Sequence, residues 1–255
     1  MDTVVDWLAR FYASFPLLFW VLGSVSVYVL GRGLLWLVRS RSFWHSPYGR
    51  FLAQVGRFLF HLGIPYLALG GWPRQPFQGL LSLDDMGLVG FSERWPVTRW
   101  LESAGTGLGV GLVALSILAL ARAAARRNGD GLRFQRRPWW QCLLDVIYLE
   151  VHWAFYRGAL SVLLQDLYTA TFVGLGLVYL EWGLDPFWRN GWRLETRAAR
   201  LWLQAALALV ASLIFLLTRN LWVCLGVHLL LGLALSLPGA RRVVVQAGRS
   251  DSIEL

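Results

Sequence analysis

Lysine is absent from this chain. All 24 basic residues are arginine, and with 15 acids they give a formal net charge of +9, while charged residues make up only 15% of the 255. About a quarter of a soluble domain is charged, so this composition excludes an ordinary soluble fold. Cysteine is nearly absent too. Cys142 and Cys224 both fall in apolar runs without CxxC spacing, which excludes a disulfide framework and a zinc ribbon. There is no GxxxxGK[ST] phosphate loop, no HExxH and no internal repeat. The opening Met1-Asp2-Thr3-Val4-Val5-Asp6 lacks the positive region of a secretory leader, so the apolar stretch behind it reads as a retained span. The arginines sit in short loops between apolar runs and belong to no nucleic-acid module. They read as a topology signal with attraction to anionic lipid, and no nucleic-acid partner is expected.

What is present is apolar: 56% hydrophobic residues and a mean hydropathy of +0.50. A helix needs roughly 20 apolar residues to cross a bilayer. Seven stretches qualify, at about 12–31, 51–71, 104–122, 139–162, 166–184, 199–217 and 220–237. The expectation is therefore an all-α, polytopic transmembrane bundle of about seven spans, an integral protein of a prokaryotic cell membrane. The second stretch is the weakest, because Arg57 and His61 interrupt it and Pro65 should kink it. Alternating spans with the N-terminus outside place seventeen arginines in the inner segments and five in the outer ones. That bias predicts an outer N-terminus and a cytoplasmic C-terminus, with the loops at 122–138 and 185–198 inside. The loop at 72–103 carries Trp72, Trp95 and Trp100, which suits a segment lying at headgroup level.

The fourth stretch holds an unusual set of polar groups, Asp145, Glu150, His152 and Arg157, in an apolar surround. Ionisable groups at membrane depth are costly and persist mainly where they face a protein interior and act there. On an α-helix Glu150 and Arg157 fall within about 20° of one face, and Asp145, His152 and Tyr156 share another. Glu150 and His152 point about 160° apart, so neighbouring helices must complete any site. Asn220, Cys224 and His228 recur at four-residue spacing on one face of the last stretch. An acid on one helix with a histidine on another is what water activation or a metal site needs, whereas simple charge pairing of Glu150 with Arg157 would leave a purely structural core. Glu181 closes the fifth apolar run and reads as an interfacial acid at a helix end. Histidines 61, 152 and 228 could also serve as axial ligands of a haem or pigment, an arrangement supported only by their placement.

His152-Trp-Ala-Phe-Tyr-Arg-Gly158 resembles the EExxxRG motif of the CPBP family, the intramembrane CAAX-prenyl-protease and bacteriocin-processing proteins also called the Abi family. Asn220-Leu-Trp-Val-Cys-Leu-Gly-Val-His228 is similar to the approach to that family's last HxxxN motif, and Leu83-Asp-Asp-Met-Gly-Leu88 to its DLGL stretch. The resemblance covers about residues 80–237. It implies a layout of N-terminal spans over 1–79, a protease-type helical domain over 80–237 and a cytoplasmic tail over 238–255. It also implies hydrolysis of a peptide bond near the membrane surface by Glu/His-activated water. Carried over, Arg157 matches the motif arginine and His228 the last histidine. Glu150 becomes the base, and His152 and His228 orient water or hold a divalent metal such as zinc. The partners would be membrane lipid and a peptide or membrane-protein substrate. The chain departs from the family pattern in three places. His152 and Trp153 replace the paired glutamates, Gly232 replaces the final asparagine, and Glu181 stands in the region of the middle FxxxH histidine. These departures equally fit a catalytically degenerate homologue that binds or scaffolds within the membrane.

Overall fold

The computed structural model describes residues 2–38, 46–70, 80–89, 95–127, 138–192 and 195–236. Among these the chain is all helical, without strands. The ten α-helices are α1 (Asp2–Ser14), α2 (Pro16–Val38), α3 (Pro47–Phe58), α4 (Ile64–Leu69), α5 (Val97–Arg127), α6 (Trp139–Leu164), α7 (Leu167–Leu184), α8 (Pro186–Gly191), α9 (Glu195–Thr218) and α10 (Leu221–Ser236). The expected tail at 238–255, the segment 72–79 with Trp72 and most of the 122–138 loop lie outside the described residues.

Among the described residues, five segments are long and apolar enough to cross a membrane: Pro16–Val38, Pro47–Leu69, Val97–Ala124, Leu167–Leu184 and Leu201–Thr218. This supports a membrane protein, with five such helices rather than the seven expected. The two that fall away do so for different reasons. α6 carries Asp145, Glu150 and Arg157, and α10 has only 16 residues. The first apolar run also divides, because Pro16 starts α2 afresh after α1 ends at Ser14.

Pro65 deforms the second run as expected, through a π-helical turn over Leu59–Gly63 between α3 and α4. Proline has no N–H and its ring clashes with the carbonyl four residues back, so a widened turn just before it relieves the crowding. That turn presents His61 to the bundle. α6 and α7 form a hairpin: Gln165 ends α6 in the left-handed region (φ 53°) with its N–H on the Ser161 carbonyl. Asp166 then caps α7 by accepting from the amides of Tyr168 and Thr169. Hydrogen bonding to Thr169, side chain and then amide, holds the Asp166 carboxyl below its usual range.

α6 is the centre of the molecule, packed against α7, α10, α2 and the π-turn. From His152 to Leu160 every residue is buried. This enclosure explains how a helix too polar to face lipid occupies the core of an apolar bundle: Glu150, His152 and Arg157 meet protein on all sides. The 80–89 segment closes one end. Gly87 (φ 78°) lies over Phe215 and accepts the Leu221 amide, and Gly158 leaves room for the Asp85 carbonyl.

Candidate functional site

α6 presents two carboxylate–imidazole pairs on opposite faces. On the first, Glu150 Oε1 accepts a hydrogen bond from His228 Nδ1 of α10 at 2.8 Å. Glu150 Oε2 lies 3.5 Å from Arg157 Nη2, two turns along the same helix. Glu150 is 0% exposed, Arg157 2% and His228 6%, so all three are removed from solvent. The Arg157 guanidinium lies over the Phe215 ring, 4.3 Å from its centroid, and Trp153 stacks on His228 at 5.6 Å. Gly174 of α7 lets that helix approach the Arg157 backbone. None of the three guanidinium nitrogens, nor Glu150 Oε2, has a hydrogen-bond partner among the described residues. Buried polar atoms are nearly always satisfied by protein, water or ligand, so these are the atoms of the site with hydrogen-bonding capacity left over.

On the second face His152 Nε2 donates to Glu181 Oε2 of α7 at 3.1 Å. The Tyr156 hydroxyl donates to Glu181 Oε1 and also lies 3.1 Å from Ser24 Oγ. The same face runs into the α3 and π-turn layer: Asp145 binds Arg57 at 2.7 Å, and the His152 ring lies 5.4 Å from that of His61. One turn beyond Glu181, Asp185 takes Arg32 at 2.8 Å and Tyr28 at 3.1 Å.

Of the four residues read from the sequence as one site, the structure brings together Glu150, Arg157 and His228. His152 belongs to the opposite face, as the 160° separation on α6 requires. The metal pair expected of His152 and His228 does not form, since His228 meets the Glu150 face of α6 and His152 points to the opposite one. Among the described residues no group of three or more histidine, cysteine or acidic side chains is disposed to hold a metal. The donors around Glu150 therefore do not fit zinc, which takes at least three protein ligands even in open catalytic sites.

Glu181 is the residue that sequence reasoning misplaced. Expected as an interfacial acid, it is 1% exposed and binds two side chains of α6. A signal for it existed: α7 contains no basic residue to neutralise this acid, so its partner had to come from another helix. Ser24, which lies against the Tyr156 hydroxyl, carries no comparable local mark, whereas His61 is marked by its interruption of an apolar run. Comparison with family models, with curated proteins and with solved structures finds no match to this chain.

Proposed function

We propose that this chain is an integral membrane hydrolase of the CPBP type, which cleaves a peptide bond with water activated by Glu150 and His228. The observation that carries the proposal is the 2.8 Å hydrogen bond joining Glu150 of α6 to His228 of α10, with Arg157 alongside. In this reading His228 fixes Oε1, which leaves Oε2 to take a proton from the attacking water. The Arg157 guanidinium, with three nitrogens unsatisfied, stabilises the negative charge that develops on the substrate carbonyl oxygen. As the tetrahedral intermediate collapses, the proton held by Glu150 passes to the leaving amine. The substrate is a peptide segment or membrane protein, met in or beside lipid. The chain crosses the membrane seven times, with α6 and α10 joining the five apolar spans, its N-terminus outside and its C-terminus in the cytoplasm of a prokaryotic cell.

One observation favours a second reading, a non-catalytic binding or scaffold role. Glu150 is completely enclosed, and its carboxylate is already shared between a cation and an imidazole. The experiment that separates the two is Glu150→Gln, purified beside wild type in detergent and assayed on a membrane-peptide library, with turnover expressed per folded molecule. Loss of a general base lowers turnover by roughly a hundred- to ten-thousand-fold. A wild type that cleaves nothing, or a Gln variant as active as wild type, removes the hydrolase reading and leaves the scaffold.

A further inference from the structure

The 80–89 segment supplies none of the side chains of the Glu150 site, yet it meets each helix that surrounds them. It is built on a tight turn in which the Ser82 amide and hydroxyl donate to Asp85 Oδ2 at 2.8 and 2.7 Å. The Asp85 carbonyl lies against Gly158 of α6, next in the chain to Arg157, where an added Cβ would come within 3.0 Å of it. The Gly87 carbonyl accepts the Leu221 amide at 2.8 Å and the Val89 carbonyl accepts the Trp222 indole N–H at 3.2 Å. These bonds fix the first turn of α10, and His228 follows about two turns further on. The third contact is with α9. A Cβ on Gly87 would lie 2.4 Å from Phe215 Cε2, and the residue has φ 78°. Only glycine permits both that backbone conformation and that approach.

Phe215 matters for what it holds. The Arg157 guanidinium lies 4.3 Å from the centre of its ring, and the ring is itself 2% exposed. None of the guanidinium nitrogens has a hydrogen-bond partner among the described residues, and Glu150 Oε2 attracts the group from 3.5 Å without such a bond. Hydrogen bonds therefore do not set where this cation sits. The negative face of an aromatic ring attracts a cation without offering it a lone pair. Held in that way, Arg157 keeps its N–H groups free for a substrate oxygen, and a displacement of about 1 Å can cost a reaction roughly a hundred-fold.

We propose that Phe215 is a positioning residue of this site: its ring, seated against Gly87, places the Arg157 guanidinium where charge develops. The inference rests on the hydrolase reading and adds a residue to it. The test uses the full-length chain in detergent, with mono-, di- and trifluorinated phenylalanine at position 215 beside Phe215→Leu, assayed on the membrane-peptide library with turnover expressed per folded molecule. Fluorine weakens the negative face of the ring with little change in shape, so kcat should fall stepwise with each fluorine while KM stays constant. A ring that only fills space would leave kcat level through the series. Phe215→Leu should lose roughly 30-fold, the scale of a desolvated cation–π contact. If Gly87 acts through the ring, Gly87→Ala also lowers kcat, and the double variant Gly87→Ala, Phe215→Leu falls no further than Phe215→Leu alone. Active wild type with kcat unchanged by fluorination, or losses that simply multiply in the double variant, would overturn this inference and leave the hydrolase reading standing. Wild type that cleaves nothing would overturn both.

Discussion

Arg157 shows how much one side chain constrains in this molecule. It is 2% exposed, has no hydrogen-bond partner among the described residues and meets its countercharge only at 3.5 Å. A buried cation stripped of its partner destabilises a protein by about 3–5 kcal/mol, whereas replacing both charges by matched neutral groups is often neutral or favourable. Glu150→Gln should therefore lower the melting temperature in detergent, and the double variant Glu150→Gln, Arg157→Met should recover most of that loss. The recovery is a structural effect and should not restore turnover. A double variant no more stable than the single one would mean that Arg157 is not balanced by Glu150. The pairing of these two residues was legible in the sequence, because both lie on one helix where seven residues complete nearly two turns. The match of His152 to Glu181 was not, because their partnership spans 29 residues and depends on how α6 and α7 turn towards each other.

At the scale of the helix, α5 provides an internal control for close packing. Its glycines alternate in environment along one short run. A Cβ on Gly107 would lie 2.2 Å from Val223 Cγ1, and one on Gly111 would lie 2.6 Å from Val227 Cγ1, while Gly105 and Gly109 have nothing within 4 Å. Valine is stiff about χ1 and cannot swing aside cheaply, so the added methyl must push α10 away from α5. Gly107→Ala and Gly111→Ala should each cost roughly 1–3 kcal/mol, the usual penalty for overpacking. Gly105→Ala and Gly109→Ala should be neutral or gain about 0.5–1 kcal/mol, because alanine restricts the unfolded chain and favours helix. Thermal melts of the four variants in one detergent give the comparison, and equal effects at all four positions would contradict this packing. A displaced α10 also moves His228, so the two destabilising variants should weaken the Glu150 contact. The run Gly105-Thr-Gly-Leu-Gly-Val-Gly111 is legible in the sequence as a place where small residues let helices approach closely. The alternation among its glycines depends on which side of α5 meets α10.

For the whole molecule, the enclosure of α6 sets the architecture. Apolar helices surround a polar one, and the two carboxylate–imidazole pairs to which α6 contributes are completed from α7 on one side and α10 on the other. The arginine bias gives an orientation that labelling can check. Single cysteines placed at 122–138 and 185–198, in a chain whose own two cysteines are replaced, should resist a membrane-impermeant reagent in intact cells. They should react once the membrane is opened. Labelling of either loop from outside would reverse the orientation proposed above. The sequence by itself determined the helical, apolar class of the chain, the deformation at Pro65 and the sorting of α6 into two polar faces. Each of these follows from local length, composition or the 3.6-residue repeat, which need no knowledge of neighbours. Only the tertiary structure decided that Glu150 meets His228, that His152 meets Glu181 and lies beside His61, and that Glu181 is a core residue rather than an interfacial one. Those contacts join residues 29 to 91 positions apart. They depend on the rotation and depth at which one packed helix sits against the next, a choice made by side-chain interlocking across the whole bundle.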